Sequence, residues 1–211
     1  MGAGLLDDRP RARVRSVAHM KTARLGVMGG SFNPIHHGHL ITAQLAAEQL
    51  RLDQVLFVPA ATSPFKTAAD DLAPAEHRLQ MVKLAVRGHA FFRASDVEIR
   101  RGGVSYTYDT VEALAADAQQ IYLIVGDDVM ADLPKWYRIH ELSERVTFAV
   151  VGRPGKYPPP PQGPWKLRRV HVPLMELSGS EIRRRVSRGL PVRYLVPHVV
   201  DLYIRKHGLY R

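Results

Sequence analysis

Residues 25–39 of this chain read LGVMGGSFNPIHHGH, and this stretch decides the fold. The apolar run Leu25–Met28 is typical of a buried strand, and the pattern over Leu40–Leu50 predicts a helix without a breaker. A glycine-rich connection from strand to helix is typical of open parallel sheets, in which ligands bind beyond the carboxyl ends of the strands. The stretch therefore predicts a first β-turn-α unit with a ligand site at its turn.

The rest of the chain continues this alternation of short apolar runs and amphipathic segments. Further strands are predicted at Val55–Val58, Phe91–Ala94, Ile121–Val125, Val146–Val151 and Val170–Val172. Helices are predicted at Ala75–Val86, Thr110–Ala116, Gly179–Arg188 and Val199–His207. Near-continuous apolar strands separated by helices indicate a parallel sheet covered on both faces. We therefore predict an α/β fold, a Rossmann-like parallel sheet with helices on both faces and a small C-terminal helical region.

The amino-acid composition excludes several kinds of site and classes of protein. The 211 residues include no cysteine, which excludes disulfides, thiolate zinc sites and cysteine nucleophiles. No apolar run approaches the length that crosses a bilayer, so we expect a cytoplasmic protein without a membrane partner. The net charge of +10 is concentrated near the C-terminus, where residues 183–211 hold eight Arg or Lys and one Asp. Such a segment suits a phosphate site, a nucleic-acid-binding face or a solvated basic helix.

Two segments stand apart from this pattern. Residues 1–19 carry four arginines between Arg9 and Arg15 and no apolar period, so we expect a disordered tail, or a start codon assigned too early with Met20 as the first residue. We assign residues 20–211 to one domain. The proline-rich stretch 154–164 is predicted to be a surface loop, and its role is left open.

The turn after the first strand carries the first group of candidate site residues. Gly29 and Gly30 let the backbone approach a ligand, and the following helix N-terminus offers N–H groups to a phosphate. His36 and His39 are three residues apart, a spacing that puts both imidazoles on one side of a helical turn. There they can donate to a phosphate and stabilise charge in a transition state. A metal site is the alternative, but no third ligand is evident nearby, and His37 is expected at the surface.

A second group opens a late helix with the sequence LSGSEIR at 177–183. Ser178 followed by Glu181 is a capping box, which fixes a helix start. Ser178, Ser180 and the first-turn N–H groups would then face phosphates, with Arg183 one turn further. Arginine pairs with phosphate oxygens through two parallel hydrogen bonds. A well-capped basic helix without a ligand is the alternative.

The third group follows the most apolar strand. Gly126 would allow a sugar or base to approach, and Asp127 or Asp128 could accept hydrogen bonds from ribose hydroxyls. Asp127 could instead cap the next helix. Trp136, downstream, could stack on a flat ring or pack in the core.

These motifs together resemble a known family. GGSFNPIHHGH resembles the H-x-G-H signature of the nucleotidyltransferase superfamily, and its Gly-Gly-Ser-Phe-Asn-Pro extension resembles bacterial nicotinate-nucleotide adenylyltransferases. LSGSEIR is similar to the I-S-S-T-x-I-R motif of that family, from which it departs at Leu177, Gly179 and Ser180. The family's Gly-x-Asp pattern selects Asp128. The resemblance runs from about Lys21 to Arg211.

The resemblance implies a Rossmann-like enzyme of NAD biosynthesis that transfers AMP from ATP to nicotinic acid mononucleotide, giving deamido-NAD and pyrophosphate with Mg²⁺ bound to ATP. It implies catalytic roles for His36, His39 and Arg183. It further assigns ATP binding to these three and to Gly29, Gly30, Ser31, Phe32, Gly126, Asp128 and Ser178.

The same resemblance assigns the mononucleotide to Gly30, Ser31, Lys66, Thr107 and Trp136. Lys66 comes from Ser-Pro-Phe-Lys, similar to a family loop that often reads Pro-Pro-His-Lys. Thr107 comes from residues 96–110, which resemble a family strand followed by a helix start. A relative acting on nicotinamide mononucleotide or phosphopantetheine is the alternative, and a nucleic-acid-binding protein is the alternative of another class. We expect no nucleic-acid partner, and the sequence leaves the oligomeric state open.

Overall fold

The computed structural model of the chain describes residues 22–64, 72–152, 162–173 and 175–211. These residues form a six-stranded sheet in which every pairing is parallel and the order is β3-β2-β1-β4-β5-β6. The strands are β1 (Thr22–Gly30), β2 (Gln54–Pro59), β3 (Phe92–Ala94), β4 (Ala118–Gly126), β5 (Val146–Gly152) and β6 (Leu167–His171). This order is that of the doubly wound Rossmann fold. The predicted fold class is confirmed.

The described helices connect consecutive strands or close the chain. They are α1 (His37–Leu50), α2 (Ala75–Val86), α3 (Val97–Arg101), α4 (Thr107–Leu114), α5 (Ile139–Arg145), α6 (Gly179–Ser187) and α7 (His198–Lys206). A 3₁₀ helix at Asp127–Lys135 follows β4 directly. Among these described residues, no helix combines the length and apolar character that crossing a bilayer requires.

Two apolar clusters cover the two faces of the sheet. On one face, α1 contributes Ala43, Ala46 and Ala47, and it is joined there by α2, α6 and α7. On the other face, α4 and α5 pack against side chains of β1, β4 and β5. The predicted C-terminal helices therefore lie on the main core, where Ile182, Val200 and Ile204 are almost fully buried.

The segment 96–110 differs from the prediction. Instead of a strand, residues 97–101 form the short helix α3, and Val104 makes only an isolated bridge to Thr62. Gly102 and Gly103, with φ of 70° and 67°, lie in the left-handed region and end this helix. The strand prediction was therefore wrong here, because it rested on the resemblance alone and the glycine pair redirects the backbone.

Three predictions fall on residues outside the described ranges: the tail 1–19, Lys66, and most of the proline-rich stretch 154–164.

Candidate active site

A large cavity opens at the carboxyl edge of the sheet, between β1 and β4. These neighbouring strands lead to opposite faces of the sheet, which makes this point the crevice where doubly wound folds bind ligands. The cavity volume is about 1020 Å³, at the upper end of the usual range for small-molecule sites. Its wall includes Gly30 and His39 from the β1 end and Gly126 from the β4 end. The place is therefore suited to a ligand as long as a nucleotide.

The two histidines of the turn lie against each other in this cavity. His36 is the N-cap of α1, with φ of −143°, and His39 lies in the first turn. Their rings stack with centroids 3.7 Å apart, and His36 is only 6 % exposed. A Cβ on Gly38 would come within 2.9 Å of His36 Nδ1, closer than real side-chain carbons approach. The glycine of the H-x-G-H pattern is therefore what allows the His36 ring to lie over the helix start.

Hydrogen bonding fixes the tautomer of His39. Its Nδ1 accepts the backbone N–H of His36 at 3.3 Å, so the neutral ring carries its proton on Nε2. Burial, followed by the charge of His37, lowers the pKa of His36 to about 4. Burial, followed by the charge of His36, lowers the pKa of His39 well below its usual value. Both rings are thus neutral near pH 7, and His39 offers an N–H donor rather than a cation.

These lowered pKa values predict that acid destabilises the fold. Below pH 6.5 the unfolded chain protonates His36, whereas the native ring stays neutral down to about pH 4. The free energy of unfolding should therefore fall by about 1.4 kcal/mol per pH unit for each such imidazole across this window. Thermal denaturation of the parent and of His36→Gln measures the effect, and the variant should lose less stability on acidification. A parallel response of both proteins would disprove the linkage, and the exposed His198→Gln serves as control.

Asn33 joins the glycine-histidine turn to distant parts of the chain. Its Oδ1 accepts the Tyr210 hydroxyl at 2.7 Å and the Ala73 N–H at 3.1 Å. Its carbonyl oxygen accepts Arg183 Nη1 at 2.9 Å. The turn is therefore held from the C-terminal residues, from the start of α2 and from α6.

The start of α6 lies beside this turn. Ser178 is the N-cap, and its hydroxyl accepts the Glu181 N–H at 3.2 Å, as the capping motif predicts. The Glu181 carboxylate turns to Arg184, which donates to it through Nε at 2.8 Å. Arg183, in the same helix, donates to the β1 turn at Asn33, from which 150 residues separate it.

Gly179 explains one departure from the family motif. A Cβ at this position would lie 2.7 Å from the carbonyl oxygen of Asn33, a rigid backbone atom. The missing side chain thus lets α6 approach the turn closely enough for the Arg183 contact.

Replacing Gly179 with Ala should push α6 away from the turn. We expect the free energy of unfolding to fall by about 1–3 kcal/mol, typical of overpacking, and the affinity of the adjoining cavity for its ligand to fall. Urea denaturation and steady-state kinetics measure both effects. Ser187→Ala, an exposed position at the other end of α6, should change stability by under about 0.5 kcal/mol. Equal stability and kinetics in Gly179→Ala and the parent would show that the close approach is unimportant.

The end of β4 supplies the opposite wall. Asp128 lies over Gly126, whose missing Cβ would come within 2.2 Å of the Asp128 Oδ1 atom. The N-cap of the 3₁₀ helix is Gly126 itself, so the alternative role of Asp127 as a helix cap is not what the structure has. Trp136 ends this helix, packs partly on the core and also lines the cavity. The core packing of Trp136 is therefore seen in part, and its stacking on a flat ring stays a prediction.

The cavity wall brings together most of the predicted site residues: Gly29, Gly30, Ser31, His36, His39, Thr107, Gly126, Asp128 and Trp136. Three others lie outside that wall among the residues that the structure describes. Phe32 is 1 % exposed, with its ring edge against His39, so it reaches a ligand only through its backbone. Ser178 follows the wall residue Leu177 in the chain, and the partly buried Arg183 is bonded to the carbonyl oxygen of Asn33.

Sequence reasoning missed a polar group on the α3–α4 side of the cavity. Glu98 is 6 % exposed and lines the cavity, and its Oε1 accepts the Thr110 hydroxyl at 2.6 Å. Ser105 accepts the Ala61 N–H at 2.9 Å and so ties this side to the β2 end. The polar run Ser105-Tyr106-Thr107 could have indicated Ser105 from the sequence. No feature of the sequence indicates that Glu98 is buried.

Sequence comparisons show which known proteins this chain is similar to. The Cytidylyltransferase-like family matches residues 27–185. A protein of Thermomicrobium roseum named "Probable nicotinate-nucleotide adenylyltransferase" is 41% identical over 199 residues, covering 90% of this chain and 92% of its own. A protein of Lactiplantibacillus plantarum with the same name is 44% identical over 191 residues, covering 89% and 88%.

Solved structures agree in fold. Plasmodium falciparum nicotinic acid mononucleotide adenylyltransferase complexed with NaAD superposes with a TM-score of 0.70 at 20% identity, covering 89% of this chain and 97% of its own. The same enzyme complexed with APC gives a TM-score of 0.68 at 18% identity, with the same coverage.

Proposed function

The chain belongs to the Cytidylyltransferase-like family and to the nicotinate-nucleotide adenylyltransferases, and from this premise we propose how its residues carry out the reaction. The chain transfers AMP from ATP to nicotinic acid mononucleotide and releases pyrophosphate and deamido-NAD, a step of NAD biosynthesis. The 5′-phosphate of the mononucleotide attacks the α-phosphorus of ATP, and the bond to the β-phosphate oxygen breaks. Because ATP is the donor, we propose the cytoplasm as the compartment.

The histidine pair is proposed to bind the α-phosphate. The neutral His39 ring presents Nε2–H as a hydrogen-bond donor, and His36 holds that ring by stacking and through its N–H. A preorganised donor in a buried place stabilises charge that develops on the phosphate oxygens without needing to reorient. The pair therefore acts on the transition state by orientation and hydrogen bonding rather than by covalent chemistry.

Arg183 and Ser178 are proposed to bind the leaving pyrophosphate. A guanidinium has five N–H donors, and the contacts to Asn33 and Ser180 use two of them. The first turn of α6 adds the positive end of a helix dipole close to the same turn. The adenosine would then lie toward Gly126 and Asp128, where the carboxylate can accept ribose hydroxyls.

The mononucleotide is proposed to lie between the β1 turn and the start of α4. Trp136 offers an indole face to the pyridine ring. Thr107 is the first residue of α4, and a helix N-terminus favours a negative group. This position suits the carboxylate of nicotinate better than the neutral amide of nicotinamide. Lys66 is proposed to bind the phosphate of the mononucleotide.

Magnesium is proposed to enter with ATP. Among the described residues, there is no group of three or more His, Cys, Asp or Glu side chains that could hold a metal ion. Mg²⁺ commonly keeps several waters and binds substrate phosphates, so the MgATP complex fits this cavity as a substrate.

The observation that carries the proposal is the meeting of His39, Asp128 and Trp136 around one cavity, with Arg183 held against the adjoining turn. The test is an assay of pyrophosphate and dinucleotide formation from MgATP with each mononucleotide separately. We expect rapid formation of deamido-NAD and slower turnover of nicotinamide mononucleotide. The proposal fails if neither mononucleotide yields a dinucleotide.

A further inference from the structure

Arg78 is a buried cation for which the reaction has no direct use. It lies in the first half of α2 and is 1 % exposed. Within the described part of the chain, it forms no ion pair with a carboxylate. Burial lowers its pKa, with partial compensation from Tyr210, Glu76 and Glu98. A charge that is costly to bury needs hydrogen bonds that satisfy it.

Backbone carbonyl groups provide those hydrogen bonds. Arg78 Nε donates to Ala73 O at 2.9 Å, Nη1 to Ser31 O at 2.8 Å and Nη2 to Ala61 O at 3.2 Å. All three bonds go to carbonyl oxygens, and each nitrogen of the guanidinium takes a different one. The same segments are also joined by the Ala60 N–H, which donates to the Gly30 carbonyl, and by the Ala73 N–H, which donates to Asn33 Oδ1.

The three acceptors belong to the two loops at the rim of the cavity. Ser31 lies in the β1 turn, just before the histidine pair, and itself lines the cavity. Ala61 follows β2, next to the cavity residue Ala60, and Ala73 precedes α2. One side chain thus bonds at once to the β1 turn, to the residue after the β2 end and to the residue before α2.

We propose that Arg78 is a positioning residue, which fixes these two loops at the separation that aligns the mononucleotide for attack. The inference rests on the proposed function, because it concerns the same cavity. Misplacement of about 1 Å by a residue remote from the chemistry can cost about 10²-fold in rate. Ala61 also donates its N–H to Ser105, just before α4, where the mononucleotide is proposed to lie, whereas Gly126 and Asp128 belong to the end of β4.

Arg78→Lys and Arg78→Met separate positioning from stability. Lysine keeps the positive charge, but its single ammonium group cannot bond to three carbonyl groups at fixed positions. Methionine removes the charge and leaves a flexible apolar side chain in its place. Each variant should lower kcat by about tenfold and raise KM for the mononucleotide by about tenfold, with KM for ATP within about threefold. Steady-state kinetics and thermal unfolding are measured for both variants and for the controls Arg87→Lys and Arg87→Met, since Arg87 is an exposed arginine at the C-terminal end of the same helix. The Arg87 variants should match the parent.

The outcomes are distinct. Folded Arg78 variants with parental kinetics, or with equal losses for both substrates that follow a fall in unfolding temperature, would overturn the inference. Variants that do not fold would overturn it too, because Arg78 would then serve folding rather than positioning. A parent enzyme without turnover would instead count against the proposed function.

Discussion

His39→Ala is expected to lower kcat by about 10²-fold to 10³-fold, the cost of losing a preorganised transition-state donor. The stacked ring of His36 holds His39, and the His36 N–H fixes its tautomer, so the Nε2 proton is the group lost in the variant. KM for ATP should change little, because the donor acts mainly on charge that develops during transfer. Single-turnover kinetics with saturating substrates measure the chemical step.

His37→Ala is the matched control for this variant. His37 adjoins the pair and donates its backbone N–H to Leu195, a contact that the substitution keeps. Its activity should stay within about threefold of the parent. Comparable kcat values for His39→Ala and His37→Ala would remove the catalytic role of His39.

Arg183→Ala is expected to lower kcat/KM for ATP by about 10³-fold, because both a charged phosphate contact and the link to Asn33 disappear. Arg183→Lys should recover only part of this loss, since an ammonium cannot make two parallel bonds to a phosphate. Titration of ATP at saturating mononucleotide measures the effect. KM for the mononucleotide should change far less.

Arg184→Ala controls for the loss of a positive charge on the same helix. Arg184 is exposed and pairs with Glu181, and it has no hydrogen bond to Asn33 among the described contacts. We expect its kinetics to stay close to those of the parent. If Arg184→Ala lost as much activity as Arg183→Ala, the basic character of α6 rather than one guanidinium would be responsible.

The sheet and its two faces could be predicted because strand and helix periods are local properties. Helix faces were less certain. In α1 the buried residues are the alanines at 43, 46 and 47, whereas the larger Leu40 and Leu45 are only partly buried. In α2 the apolar Leu79 is only partly buried, whereas the charged Arg78 is 1 % exposed. A buried arginine carries no local signal, because its acceptors come from loops far along the chain.

The site was predictable to the extent that its motifs are contiguous. The H-x-G-H turn and the Ser178 cap are local patterns, and the structure places both beside one cavity. The bond between Tyr210 and Asn33 joins residues 177 apart, and nothing in either neighbourhood indicates it. The reason for Gly179 likewise became visible only with the Asn33 carbonyl opposite it. Long-range packing decides these features. The resemblance to a family predicted only the motifs that are contiguous in the sequence.

The central claim is that the histidine pair and Arg183 act on one phosphate chain. The most direct measurement is a crystal structure of the chain with nicotinic acid mononucleotide and an ATP analogue bearing a methylene between its α- and β-phosphates. We expect His39 Nε2 within about 3.2 Å of an α-phosphate oxygen and the Arg183 guanidinium on the β- or γ-phosphate of the same molecule. A nucleotide bound away from the β1 turn, or one whose phosphates reach His39 while Arg183 contacts none of them, would contradict it.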